Sequence, residues 1–359
     1  MMTEGKLKHD STLRPRVLTF VHYYLPGYKA GGPIRTVSNM VERLGDAVDF
    51  RIVTTDRDSF EVAPYPDVDI DVWSTVGKAK VFYASPGKRS IRSFARLIRE
   101  TPHDVLYLNS FFSGVSTLRP LVARCLSGSP KHPVVIAPRG EFSSGAFALK
   151  SWKKRPYVVL TRALGLYRDV TWQASSEHEA NDIRRVLGRT AQEIVVAPNL
   201  AQPLEAQESV QFETPYRGPL RIVFLSRISP MKNLDFALNV LSLVTVPVEM
   251  SIYGAIPDDG YWSRCRKIIE SMEPNVTVRY KGSISHEQVL QVLSEHDLFL
   301  LPTRGENYGH AIHEALAAGL PVLISDQTPW KGLEALGVGW DLSLESPDAF
   351  AAVIEGVVL

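Results

Sequence analysis

RGENYGHAIHEALAAGLPVLISDQTPW, Arg304 to Trp330, is the stretch that sets the architecture of this chain. It follows HDLFLLPT (His296 to Thr303), an apolar run with the unbroken hydrophobicity of a parallel strand buried on both faces. Gly305, Asn307 and Gly309 turn that run into a tight loop. A helix is expected from about His310 to Ala318, closed by Gly319, and PVLISD (Pro321 to Asp326) restarts a strand. In a strand, loop, helix, strand unit the helix N-terminus and the loop at the strand's carboxyl end face a crevice that stabilises an anion, usually a phosphate. Glu306 lies in the loop and Glu314 in the helix, with seven residues between them. Glu306 is placed to reach a reacting sugar and Glu314 a ribose diol, both of which need hydrogen-bond acceptors. Spacing alone is also what a solvated helix carries; the strand end, the helix start and the glycines around the pair favour a ligand.

Working outward, strands alternate with helices in both halves. VLTFVHYY (Val17 to Tyr24), FRIVTTD (Phe50 to Asp56), VLYLN (Val105 to Asn109), PVVIAPRG (Pro133 to Gly140), VTWQASS (Val170 to Ser176) and EIVVAPN (Glu193 to Asn199) are short apolar runs separated by helix-length segments. LRIVFLSRI (Leu220 to Ile228), VEMSIYGA (Val248 to Ala255) and VTVRYKGS (Val276 to Ser283) begin a second alternation. Between them, Leu200 to Gly218 is rich in Pro, Glu and Gln and reads as a linker. The expected division is residues 13–200, a linker over 201–218, and residues 219–359: two Rossmann-like α/β domains facing across a cleft.

Composition narrows the function. The chain has 359 residues, 45% hydrophobic, with 40 Lys and Arg against 39 Asp and Glu; that near-balance argues against a nucleic-acid partner. Cys125 and Cys265 are far apart, each in an expected helix, and offer neither a disulfide framework nor a metal spacing, so no metal is expected and a reducing cytoplasm fits. The polar start MMTEGKLKHDSTLRPR lacks an apolar signal core, and no later run has the length of a membrane span.

Three more stretches sit at strand ends. Gly31 and Gly32 precede the first helix, where backbone amides can approach a diphosphate; a plain strand-to-helix turn is the competing explanation. SRISPMKN (Ser226 to Asn233) carries Arg227 and Lys232, a fork of donors and a point charge suited to a diphosphate leaving group. PRGEFSSGA (Pro138 to Ala146) offers Arg139 and Glu141 as a wall of the first domain, or is an ordinary loop.

Taken in order, Gly31-Gly32, APNL (Ala197 to Leu200), SRISPMKN and the Glu306/Glu314 segment resemble the motifs of the retaining glycosyltransferases of family 4, which have the GT-B fold. The resemblance implies transfer of a sugar from a UDP- or GDP-sugar to an acceptor with retention and without a cofactor or metal. Arg227 and Lys232 would hold the donor diphosphate, helped by the backbone at Gly31, Gly32, Asn307, Tyr308, Gly309 and His310. Glu314 would bind the ribose, Glu306 would contact the donor sugar, and the segment Tyr280 to Ser283 would bear on the base. Many members have His where this chain has Arg139. Members also continue with a helix that returns to the first domain, so a chain ending at Gly356 to Leu359 reads as truncated or as a short variant. PRGEFSSGA and SDQTPW look like segments of enzymes that build bacterial surface polysaccharides on lipid carriers. KSWKKRPYVVLTRALGLYR (Lys150 to Arg168), basic and apolar together, suits peripheral contact with the inner face of the cytoplasmic membrane, or is a core-facing helix with a solvated basic side. A non-hydrolysing nucleotide-sugar epimerase and a silent nucleotide-sugar-binding module are the alternatives; a dehydrogenase is disfavoured because no GxGxxG follows the first strand.

Overall fold

In the computed structural model, which describes residues 14–128, 132–149, 151–201 and 218–358, each stretch of alternating elements closes on its own sheet. The expected linker falls almost wholly outside the described residues, as do the N-terminal stretch up to residue 13 and Lys150. The first sheet comprises β1 (Arg16–Phe20), β2 (Asp49–Thr55), β3 (Trp73–Val76), β4 (Ala79–Ala84), β5 (Val105–Asn109), β6 (Val134–Ala137), β7 (Val170–Ala174) and β8 (Glu193–Val196), in the order β3-β4-β2-β1-β5-β6-β7-β8. The second comprises β9 (Leu220–Leu225), β10 (Val248–Tyr253), β11 (Val276–Gly282), β12 (Leu298–Leu301), β13 (Val322–Ser325) and β14 (Gly339–Leu342), in the order β11-β10-β9-β12-β13-β14. Every pairing is parallel except β3 with β4, an antiparallel edge.

The unbroken apolar runs are the strands with both faces covered. Leu298, Phe299 and Leu300 of β12 and Val322, Leu323 and Ile324 of β13 are fully buried, as are Ile222, Val223 and Phe224 of β9. The first sheet is likewise packed on both sides: one core gathers Phe111, Phe142, Tyr167 and Trp172, the other Val37, Ile52, Val81 and Tyr83. The last described helix, Pro347–Val358, packs into the second core through Phe350 and Ile354.

β1 stops at Phe20, short of the expected Tyr24: Val21 N still donates to the Val53 carbonyl, but the His22 carbonyl, out of ladder register, accepts from the Thr55 amide together with the Thr54 and Thr55 hydroxyls. Strand order reverses direction at β1/β5 in one sheet and at β9/β12 in the other, so the crevice at the carboxyl ends of both sheets lies between the two domains.

Candidate active site

A cleft of about 420 Å³ opens at those strand ends, and its lining includes Gly31, Gly32, Arg139, Arg227, Lys232, Glu306 to His310, and Glu314. Of the segment expected near a base, Ser283 lines the cleft, while the Tyr280 hydroxyl donates to the Gly254 carbonyl at 2.9 Å.

The second-domain wall is built from the exits of β9 and β12. Asn233 adopts a left-handed conformation, φ 62°, and fastens the two exits together: its amide donates to the Pro302 carbonyl at 2.9 Å and its oxygen accepts from Arg304 Nε at 3.0 Å. The Thr303 hydroxyl adds a bond to the Met231 carbonyl at 3.1 Å. That clamp brings the Lys232 ammonium into contact with the Glu306 carboxylate, both mostly shielded from solvent. Arg227 stands nearby, exposed at the cleft; desolvation by the surrounding protein lowers its guanidinium from the ordinary value, and the Glu306 charge opposes that. Its guanidinium makes no hydrogen bond or ion pair among the described residues, so a cation stands open to an anion on the cleft floor.

The facing wall reaches across. Arg35, in the first turn of the helix Gly32–Leu44, places Nη1 3.1 Å from Glu314 Oε1 and donates to His286 Nε2 at 2.6 Å. Thr36 Oγ1 lies 2.9 Å from His310 Nε2. Burial raises the Glu314 carboxyl above its usual range, and the Arg35 charge opposes that. Burial, reinforced by Arg35, pushes His310 down to about 3 and His286 to about 4, so both imidazoles are neutral at pH 7. Gly31 holds φ +67° at the cap of this helix, a conformation that favours glycine, and a Cβ on Gly32 would lie 3.9 Å from the His310 ring.

Arg139 and Glu141 line the cleft but are engaged by their own domain. Arg139 donates to Asn199 Oδ1 at 2.6 Å, Tyr107 Oη at 2.6 Å and Asn109 Oδ1 at 3.0 Å, partners that are all buried. Glu141, raised by burial and lowered by its donors, accepts from the Ser110 hydroxyl at 2.6 Å and the Phe112 amide at 3.1 Å. Glu179 is a further buried carboxylate: it accepts from Gly140 N at 2.6 Å and Ser175 N at 2.7 Å, and the Asn307 amide nitrogen, reaching over from the second domain, is 2.7 Å away.

Comparison with known proteins meets this geometry from outside. Residues 31–200 match the glycosyl transferase 4-like domain and residues 206–358 match the glycosyl transferases group 1 family. The chain is a GT-B glycosyltransferase. A 41.2 kDa protein in the cps region of Klebsiella pneumoniae, itself uncharacterised, is 22% identical over 306 residues, 82% of this chain and 78% of that protein. The Anabaena protein HepE, solved with UDP and glucose, superposes with a TM-score of 0.64 at 15% identity over 96% of this chain and 90% of its own. The lipopolysaccharide outer core galactosyltransferase WaaB superposes with a TM-score of 0.58 at 16% identity, again over 96% and 90%.

What sequence inspection of this glycosyltransferase missed is the set of residues that cross the cleft: Arg35, Thr36, Ser175, Glu179 and His286. Arg35 had a signal. A cation in the first turn opposes the helix dipole, and such a residue is tolerated where it meets an outside carboxylate. Glu179 had none, since its partners come from three separate loops.

Proposed function

We propose that the enzyme transfers a sugar from a nucleoside-diphosphate sugar to a lipid-linked or growing surface glycan, with retention of anomeric configuration. The observation that carries this is the open Arg227 beside the Lys232–Glu306 pair, facing Gly31 and Gly32 across the cleft. A diphosphate would take its charge compensation from Arg227 and Lys232 and from the amides of Tyr308 to His310 at the helix start, without a metal. Glu314 would exchange Arg35 for the ribose hydroxyls, and Glu306 would turn to the donor sugar. As the glycosidic bond lengthens, Arg227 and Lys232 stabilise the departing diphosphate, and its oxygen takes the proton of an acceptor attacking the same face. Arg139 would act on this wall by holding Asn109, Asn199 and Tyr107 in place.

A uracil base is supported by the UDP in the HepE structure, with a GDP-sugar as the alternative donor. The lipopolysaccharide acceptor of WaaB supports the glycan class, and with it an enzyme working at the inner face of the cytoplasmic membrane. The test is a donor panel of UDP-, GDP- and dTDP-sugars with and without a lipid-linked acceptor, reading free nucleoside diphosphate and the product anomer. Acceptor-dependent release that Glu306→Ala and Lys232→Ala abolish is expected. Interconverted sugar nucleotides would make the protein an epimerase, and tight binding without turnover a silent module.

A further inference from the structure

The helix Ser151–Ala163 is apolar on the side that faces solvent. Trp152 is 72% exposed, Val159 66%, Leu160 59% and Leu164, just beyond the helix, 70%. Trp152, Pro156, Val159, Leu160 and Ala163 recur at helical spacing and share one face, whereas Val158 and Thr161 are the residues turned into the core. A soluble monomer seldom leaves such a stripe uncovered.

Its surroundings name the occupant. Lys153, Arg155, Arg162 and Arg168 are exposed along the same segment, with the Lys153 ammonium 4.7 Å from the centre of the Trp152 ring. No Asp or Glu occurs between Glu141 and Asp169, so within the segment itself the charge beside the stripe is positive alone. A protein groove that accepts an apolar helix face needs no such one-sided charge. A bilayer with anionic headgroups does: the apolar chains enter the acyl boundary, the indole sits at headgroup level and the cations meet phosphates. The segment also adjoins the active site, because Leu149 and Lys154 line the cleft and the Lys154 ammonium donates to the Ala146 carbonyl at the cleft edge. Among the described residues no helix is long and apolar enough to cross a membrane.

We infer that the outward face of Ser151–Ala163 docks on an anionic phospholipid bilayer and presents the mouth of the cleft to an acceptor held there. The docking itself stands on this face; only its purpose rests on the proposed transfer to a lipid-linked acceptor. The experiment is co-sedimentation of the full chain with mixed phosphatidylglycerol–phosphatidylcholine vesicles and with pure phosphatidylcholine vesicles, at low and high salt. The wild type should partition onto the anionic vesicles, weakly onto the neutral ones, and come off with salt. Each cation at the surface is worth roughly fivefold, so Arg155→Gln/Arg162→Gln should lower partition by roughly 20-fold, and Val159→Ser/Leu160→Ser by on the order of tenfold or more.

Equal partition onto both vesicle types, no partition, or unchanged binding by both double variants overturns the inference. So does a dimer in sedimentation velocity that the serine variant dissociates, which would make a second copy the occupant. If a variant fails to fold, the wild type's lipid and salt dependence decides. Donor turnover measured without vesicles keeps the two questions apart: its loss with docking intact refutes the enzymatic assignment and leaves the surface standing.

Discussion

Replacing Glu306 with glutamine should tighten nucleoside diphosphate while slowing transfer. With Arg227, Lys232 and Glu306 charged, the fixed charge around the expected diphosphate is two cations and one anion; the substitution leaves two cations. Glu306 touches Lys232, so a phosphate that also touches Lys232 would lie about 6 Å from the carboxylate. Repulsion over that distance is about 3 kcal/mol at an effective dielectric of about 20 and below about 1 kcal/mol in water. The cleft is open enough that Arg227 is exposed, which favours the lower end. About 1 kcal/mol corresponds to roughly fivefold tighter binding of UDP, read by titration calorimetry. The same change removes the group proposed to contact the donor sugar, and kcat should fall on the order of 10²- to 10³-fold. Weaker UDP binding in step with the loss of rate would refute the division of labour, because Glu306 would then serve the ground state and the transition state alike.

A Cβ on Gly254, which holds φ +142°, would lie 1.9 Å from the Ser226 carbonyl oxygen, so Gly254→Ala should push the chain at Arg227 out of position; a loss of UDP affinity of tenfold or more is expected. Arg139→Met would strand the buried Asn109 and Asn199 oxygens, costing about 2–4 kcal/mol of stability in chemical denaturation; normal stability with lost activity would give Arg139 a direct role instead. His310, held near 3 by burial against an ordinary 6.5, is neutral when folded, so its contribution is full above pH 6.5 and is lost as pH falls toward 3. At pH 5 that is about 2 kcal/mol at most, and His310→Gln should flatten the fall in melting temperature between pH 7 and pH 5.

Both sheets were legible because parallel strands covered on both faces write themselves as unbroken apolar runs, as in Leu298 to Leu301. Three strands were not, β3, β4 and β14: Trp73 to Val76 is half-exposed, and a strand of four residues, like Gly339–Leu342, has too little hydrophobic contrast to separate it from a turn. The site was legible where glycine, charge and a strand end coincide, at Gly31, Arg227 with Lys232, and Glu306. The cross-cleft contacts were hidden by sequence distance, since Arg35 and Glu314 become neighbours only when two separately folded domains dock. Arg139 illustrates a different limit: its type and position suggested either a ligand contact or an ordinary loop, and its guanidinium, at the cleft lining, also satisfies buried amide oxygens that sequence cannot pair with it.

The contacts of Asn307 with Ser175 and Glu179 carry a consequence for protein engineering. The two walls of the cleft come from different halves of the chain, which invites exchange of whole first domains to vary the proposed acceptor. The seam, however, is specific. A transplanted first domain must bring counterparts of Arg35, Thr36, Ser175 and Glu179 in register with Glu314, His310 and Asn307, or the hybrid will carry two intact halves and no shared cleft.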